Sequence, residues 1–155
     1  MLVERSMLRL SRLADYAVVL LHQIACKSTL CSSRELAEQT GLPRPTVIKI
    51  LKDLNGHGLL ISVRGVNGGY RLARPADEMS ILSVIEAMDG PMSLTACAQE
   101  IGPVCCDHEG HCQIREPWRR INEVISGALD NLRLADMGSL DRVEARLNPQ
   151  SEQRL

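Results

Sequence analysis

The stretch SSRELAEQTGLPRPTVIKILKDLNGHGLLISVRGVNGGYRL, residues 32–72, decides the fold of this 155-residue chain. It opens with Ser32 and Glu35, which have the spacing of a capping box, where the two side chains satisfy free backbone amides at a helix start. Gly41 is a natural C-terminal cap. These residues predict a short helix over residues 33–40.

A second helix is predicted directly after two prolines. Pro45 suits the first helical position, because no amide hydrogen is needed there. The residue before a proline avoids helical backbone, so Arg44 is predicted to be extended. The helix runs to about Asn55, where a glycine-containing turn ends it. Apolar residues at helical spacing form its inward face, namely Val47, Ile50, Leu51 and Leu54.

A β-hairpin follows the second helix. Residues 59–63 are rich in β-branched side chains, residues 65–69 form a glycine-rich turn, and residues 70–73 form the second strand. A helix over residues 10–26 precedes all of these elements. The order helix, short helix, turn, helix, hairpin is typical of a winged helix-turn-helix. We therefore predict a mainly α fold with a small β-hairpin wing over residues 7–75.

The remainder of the chain divides into four predicted segments. A connecting helix lies within residues 76–90, a cysteine-rich loop covers 91–116, a long helix covers 117–136, and a flexible tail covers 137–155. The apolar residues of the long helix have coiled-coil-like spacing: Trp118, Ile121, Ile125, Ala128 and Leu132. A second copy of this helix is the simplest partner for that face, which predicts a homodimer. The alternative is that the helix folds back on its own domain.

Charge is distributed unevenly along the chain. Residues 1–74 contain 11 Lys and Arg against 5 Asp and Glu, a net charge of +6. Residues 75–155 contain 7 against 14, a net charge of −7. A basic half joined to an acidic half is expected of a nucleic-acid binder with a separate sensing or assembly region. The alternative is that the asymmetry arose by chance.

The second helix supplies candidate contacts to double-stranded DNA. In a helix-turn-helix this helix enters the major groove, and its first residues, here Arg44, Thr46 and Lys49, reach base edges. Arg44 can bind the acceptor edge of guanine, and Thr46 can offer a hydroxyl or a methyl contact. Lys49 and Lys52 fit phosphates better. The alternative is that these residues form an ordinary solvated basic face.

The wing adds two further basic candidates. Arg64 lies beside the glycine-rich turn, where it can contact phosphates or a narrow minor groove. Arg71 is a second phosphate candidate. One winged helix contacts few base pairs, so a symmetric dimer and a palindromic operator are expected.

Four of the six cysteines lie within the 16 positions from Cys97 to Cys112. The loop has no hydrophobic periodicity, so packing does not explain its many thiols. Thiolates are the usual ligands of iron–sulfur clusters, and three cysteines with a histidine also suit tetrahedral zinc. Spacing alone leaves both alternatives open. The candidate ligands in the loop are Cys97, Cys105, Cys106, Cys112, His108 and His111.

Several other classes of protein are disfavoured. No apolar run approaches the roughly 20 residues that cross a membrane, and no signal-peptide cleavage pattern is present. A cytoplasmic protein is therefore expected, in which cysteines bind metals more often than they form disulfides. We find no Ser-His-Asp arrangement and no phosphate-binding glycine loop before a helix, so an enzyme is not expected.

Three parts of the chain resemble one known family. VRGVNGGYRL at residues 63–72 is similar to the wing of the Rrf-two family of bacterial regulators, and LSRLADYA at residues 10–17 resembles its first helix. The cysteine loop followed by Trp118 and a long helix also matches. The resemblance covers about residues 7–136. It implies a dimeric winged-helix transcription factor, and because many members hold a 2Fe–2S or 4Fe–4S cluster it favours iron–sulfur over zinc.

The resemblance also implies a set of cluster ligands. Cluster-binding members carry three cysteines in this loop, commonly with five residues between the second and the third. Cys106 and Cys112 have that spacing, and Cys97 matches the first cysteine. Cys105 is an alternative ligand.

The fourth ligand stays open. Arg115 stands where one branch of the family has a histidine ligand. Another branch uses an acidic residue of the first helix from the partner subunit, and Asp15 lies at that place. His108 and His111 are weaker candidates.

The function implied by the resemblance is iron–sulfur cluster-dependent transcriptional regulation of cluster-assembly genes of the SUF type. A nitric-oxide- or iron-responsive repressor of the same architecture is an alternative. A zinc-stabilised DNA-binding or interaction module without sensing is an alternative from another class.

Overall fold

The computed structural model describes residues 10–95, 98 and 112–149. This part of the chain contains six α-helices, one 3₁₀ helix and a two-stranded antiparallel sheet. Helix α1, Arg12–Ala25, begins where the Ser11 hydroxyl accepts a hydrogen bond from the Ala14 amide at 3.0 Å. Its inward face is fully apolar and consists of Ala14, Ala17, Leu20, Leu21 and Ile24.

Helix α2, Ser33–Thr40, has the predicted bounds and the predicted caps. The Ser32 hydroxyl accepts from the Glu35 amide at 3.1 Å, and Gly41 ends the helix. The Glu35 carboxylate pairs with Lys27. This hydrogen bond from Lys27 lowers the pKa of Glu35. A hydrogen bond from the Ser32 backbone amide also lowers the pKa of Glu35, so the predicted capping box is present together with an ion pair to the preceding loop.

Helix α3, Arg44–Gly56, begins one residue earlier than predicted. The prediction that Arg44 is extended is wrong, because the Val47 amide donates to the Pro43 carbonyl at 3.1 Å and so brings Arg44 into the first helical turn. Pro45 loses no hydrogen bond there, since the first amides of a helix have no partner inside it. The predicted inward face is confirmed by the burial of Val47, Ile50, Leu51 and Leu54.

The wing consists of β1, Leu60–Val63, and β2, Gly69–Leu72. Leu60 lies opposite Leu72 and Val63 opposite Gly69. The hairpin is fastened to the chain before α2, because the amides of Cys31 and Tyr70 donate to each other's carbonyl oxygens at 3.0 and 2.8 Å. The wing is thus held against the helix-turn-helix.

The C-terminal part differs from the sequence prediction. Helix α4, Ile81–Asp89, is capped by Ser80, and α5 spans Arg115–Asn131. The predicted 117–136 helix therefore stops five residues early. A 3₁₀ helix, Leu134–Gly138, and helix α6, Leu140–Leu147, follow, and α6 occupies part of the predicted tail.

Tertiary contacts explain both differences. After α5 the backbone becomes extended, and the Leu132 carbonyl accepts from the Ile81 amide at 2.9 Å. The carboxylate of the buried Asp136 accepts from the Arg146 guanidinium at 3.2 Å, which fastens α6 to the 3₁₀ helix.

One apolar core joins the two halves of the described structure. Met79 and Leu134 lie in the same buried cluster as the inward residues of α1 and α3. A smaller cluster of Ile81, Ile85 and Leu132 lies beside it. None of the helices in the described part of the chain is long and apolar enough to span a membrane.

Candidate nucleic-acid interface and metal centre

Helix α3 exposes its basic side chains on the face opposite the core. Arg44, Lys49 and Lys52 are exposed, and Thr46 is half-buried. The four residues lie on a helix whose other side is fixed by the complete burial of Val47, Ile50, Leu51 and Leu54. This geometry presents the predicted DNA-contacting residues on a rigid support.

Ile48 is a residue of this face that the sequence analysis missed. It lies one helical turn after Arg44 and one before Lys52, and 44% of its surface is exposed. An exposed apolar side chain between cations can contact the methyl group of thymine in the major groove. The signal was present in the sequence, because positions 44, 48 and 52 share one helix face.

A cleft of about 520 Å³ lies between the start of α2, the end of α3 and the wing. Lys52 of α3 and Arg64 of the wing both line it, together with the polar residues Ser33 and Asn55. No carboxylate is among its lining residues. An anion such as a DNA phosphate can therefore meet cations and hydrogen-bonding groups in this cleft without a carboxylate among the lining residues to repel it.

Arg71 is not among the residues that line the cleft. Tyr70 lines it, and because neighbouring side chains of a strand point to opposite faces, Arg71 lies on the other face of the hairpin. Arg64 and Lys52 therefore line one cleft, whereas Arg71 is exposed outside it.

Most of the predicted cluster ligands lie outside the described residues, namely Cys97, Cys105, Cys106, His108 and His111. Cys112 is described and carries a free, half-buried thiol three residues before α5 begins. Within the described ranges no group of three or more His, Cys, Asp and Glu could hold a metal ion. The donor set itself fits an iron–sulfur cluster, because four thiols of one short segment are the ligand type such clusters take.

Asp15 lies in the first turn of α1 with an exposed side chain. The residue before that helix, Ser11, donates its hydroxyl and its amide to the carboxylate of Asp89 at 2.5 and 3.2 Å. Asp89 is the last residue of α4, which precedes the cysteine segment. The start of α1 and the approach to the cysteine segment are thus tied together within one chain.

Helix α5 exposes an apolar strip. Trp118, Ile121 and Val124 are 37, 43 and 58% exposed, and Ile125 and Ala128 are half-buried. Leu129 of the same helix packs against the cluster of Ile81, Ile85 and Leu132, so one edge of α5 folds back on α4 while the strip faces outward.

Leu132 departs from its predicted role. The sequence predicts Leu132 on the dimer face, but it is 8% exposed and packs within its own chain against Ile81 and Ile85. The reason is that α5 ends at Asn131, so Leu132 no longer continues the helical strip.

The chain matches one family along most of its length. Residues 10–139 match Rrf2, described as "Iron-dependent Transcriptional regulator". The chain belongs to the Rrf2 family. The winged-helix prediction is thereby confirmed, and this Rrf2 chain is a transcriptional regulator of a DNA-binding family, with a regulatory and not an enzymatic role.

Two relatives of this Rrf2 regulator illustrate the likeness. An HTH-type transcriptional regulator of Mycobacterium tuberculosis is 33% identical over 145 residues, which are 90% of this chain and 88% of the relative. The HTH-type transcriptional regulator IscR of Serratia proteamaculans is 31% identical over 132 residues, which are 84% and 79% of the two chains.

Solved structures agree with the fold of this Rrf2 chain. CymR, the global cysteine regulator of B. subtilis, superposes with a TM-score of 0.66 at 26% identity and covers 84% of this chain and 96% of its own. IscR of T. potens superposes with a TM-score of 0.64 at 24% identity, covering 96% and 92%. The second likeness concerns the fold alone.

Proposed function

We propose that this Rrf2 regulator is a homodimer whose affinity for a palindromic operator depends on an iron–sulfur cluster, of the 2Fe–2S or 4Fe–4S type. The observation that carries the proposal is the position of the cysteine segment. Four thiols lie between α4, which shares the core of the winged helix, and α5, which carries the exposed apolar strip. A ligand bound there can bias both the DNA-binding and the assembly surfaces.

Cys97, Cys106 and Cys112 are the proposed cluster ligands, with Cys105 as the substitute. The fourth position is assigned to Asp15 of the partner subunit, for which His108 and His111 compete. The cluster would supply an iron centre that responds to oxygen, nitric oxide or iron supply. The family description as iron-dependent supports an iron centre over zinc.

The proposed DNA contacts divide into two groups. Arg44, Thr46 and Ile48 face base edges at the start and middle of α3, whereas Lys49 serves phosphates beside them. Lys52 and Arg64 hold one phosphate in the cleft between α3 and the wing, and Arg71 is left with a peripheral phosphate contact.

Helix α5 supplies the proposed dimer contact through Trp118, Ile121, Ile125 and Ala128. Compared with the face predicted from the sequence, the proposed contact includes Val124 and excludes Leu132. Exposed apolar residues in a continuous strip mark interaction surfaces in soluble proteins. SUF-type cluster-assembly genes are the targets that the family resemblance supports.

Anaerobic purification of the full chain tests the proposal. A brown protein with iron and sulfide in equal amounts is expected, with operator binding that changes when the cluster is removed. A colourless protein that contains one zinc ion per chain and binds DNA unchanged would contradict it. Cys112→Ser is the matched variant for loss of the cluster, and Cys26→Ser, which alters an exposed cysteine outside the segment, is its control.

A further inference from the structure

Asn122 is the only buried residue among the described side chains of α5. It is 7% exposed, although asparagine is mostly a surface residue. Burying an amide is unfavourable unless its donor and acceptor both find partners. The burial of Asn122 therefore points to a specific role for its hydrogen bonds.

Both halves of the Asn122 amide bind the backbone of one distant segment. The Leu94 amide donates to Asn122 Oδ1 at 3.0 Å, and Asn122 Nδ2 donates to the Met92 carbonyl at 3.4 Å. The Met92 amide in turn donates to Glu86 of α4 at 3.4 Å. Asn122 thus clamps the segment 92–94 between the end of α4 and the side of α5.

The residues joined by these hydrogen bonds lie on either side of the clustered cysteines in the sequence. Leu94 lies three residues before Cys97, and Asn122 lies ten residues after Cys112. The two hydrogen bonds therefore join the two ends of the segment that carries all four clustered cysteines. Because Cys112 lies three residues before α5, the bond from Leu94 to α5 holds Leu94 at a set position relative to Cys112.

We propose that Asn122 is a positioning residue for the metal centre, which closes the ends of the cysteine segment before any ligand is bound. The inference rests on the proposed function. When the ends of a loop are already held together, less conformational entropy is lost as a ligand binds to it. By linkage, a bound cluster favours the closed clamp to the same extent that the clamp favours the cluster.

The clamp also gives the metal centre a direct connection to the assembly surface. Ile121 and Asn122 are adjacent on α5, with Ile121 exposed in the apolar strip and Asn122 bonded to the backbone of Met92 and Leu94. A change at Leu94 is thus passed to the helix that carries the strip through two hydrogen bonds.

A series at position 122 tests the proposal in the full chain. Asn122→Ala and Asn122→Leu remove both hydrogen bonds, whereas Leu keeps more of the side-chain volume. Asn122→Asp keeps an acceptor for the Leu94 amide and removes the donor to Met92. Asn131→Ala is the matched control, since Asn131 is an exposed asparagine of the same helix.

Two measurements are made on each variant. The first is hydrogen exchange of the Leu94 amide in metal-free protein, which is expected to be faster in the Ala and Leu variants, intermediate in the Asp variant and unchanged in the control. The second is the rate at which clusters assembled from ferrous iron and sulfide are lost to a chelator, followed by visible absorbance. This rate is expected to rise about tenfold or more in the Ala and Leu variants, as for loss of other supporting contacts around metal sites.

The outcomes separate the proposals. Unchanged Leu94 exchange in Asn122→Ala, or faster exchange with wild-type cluster loss, overturns the positioning role. A cluster-loss rate in Asn122→Leu equal to that of wild type also overturns it, because this variant lacks both hydrogen bonds. If the Ala variant does not fold, Asn122→Asp decides the question. Wild-type protein that takes up no iron and sulfide overturns the proposed function instead, and Leu94 exchange still reports whether the clamp exists.

Discussion

Gly69 of β2 packs directly against the backbone of Cys31. A Cβ atom on Gly69 would lie 2.7 Å from the Cys31 carbonyl oxygen, closer than van der Waals contact allows. The contact is fixed, because the next residue, Tyr70, exchanges two backbone hydrogen bonds with Cys31. The wing can therefore pack against the chain before α2 only because residue 69 has no side chain.

Gly69→Ala is expected to destabilise the protein by about 1–3 kcal/mol, since the extra methyl group must displace backbone. Gly56→Ala is the matched control, because a Cβ atom there meets nothing within 4 Å and the residue lies at the end of α3. The control is expected to be neutral or slightly stabilising. Chemical denaturation of both variants measures the difference, and equal midpoints would contradict the packing argument.

Replacing Lys52 or Arg64 by Ala is expected to weaken binding to all DNA sequences alike. Each change removes one phosphate contact in the cleft, so the slope of log affinity against log salt should fall by about 1. Ile48→Ala should instead reduce discrimination between operator and random DNA, with the slope unchanged. Arg142→Ala, an exposed arginine of α6, is the control. If Lys52→Ala lowered the preference for operator over random DNA as well as the salt slope, the assignment of Lys52 to a phosphate would be refuted.

Val124→Asp is expected to convert the proposed dimer to a monomer. The change places a charge in the apolar strip of α5, and two copies would bring like charges together. Val66→Asp is the control, since Val66 is a fully exposed valine at the tip of the wing. Sedimentation velocity of both variants gives the oligomeric state, and a Val124→Asp dimer as stable as wild type would exclude this face.

Cys26 is expected to react with iodoacetamide at pH 8 at least about a hundredfold faster than Cys31 in the folded protein. Cys26 is exposed, whereas Cys31 is buried, and burial raises the pKa of the Cys31 thiol, so less of it is ionised. Mass spectrometry after timed alkylation measures both sites, and equal rates in urea serve as the control. A raised folded pKa also means that Cys31 lowers stability as the pH rises above the thiol pKa of the unfolded chain.

The helix-turn-helix and wing could be predicted because local chemistry determines their boundaries. Ser32 and Gly41 bound α2, and the glycine-rich turn sets the hairpin. The start of α3 lies one residue before the predicted Pro45, since the Pro43 carbonyl accepts from the Val47 amide, and the predicted strand boundaries differ from the observed ones by one residue.

The end of α5 and the presence of α6 could not be predicted in this way. No proline or glycine follows Asn131 directly, and the helix stops because Leu132 bonds to the start of α4. Helix α6 depends on the pair Asp136 and Arg146, ten residues apart, which a local pattern does not reveal.

The same limit applies to the candidate site. The basic face of α3 follows from helical periodicity, and Ile48 could have been found from it. The burial of Asn122 could not, because its partners Met92 and Leu94 lie 30 and 28 residues away.

The shared core that includes Met79 and Leu134 has a mechanical consequence. Helix α3 and helix α4, which precedes the cysteine segment, contribute side chains to the same buried cluster, so a displacement of α4 is expected to displace α3 with it. In the proposed dimer, a signal at the cysteine segment would then rotate the two winged-helix domains relative to each other. Such a rotation changes the distance between the two α3 helices, whereas the structure of each domain is unchanged.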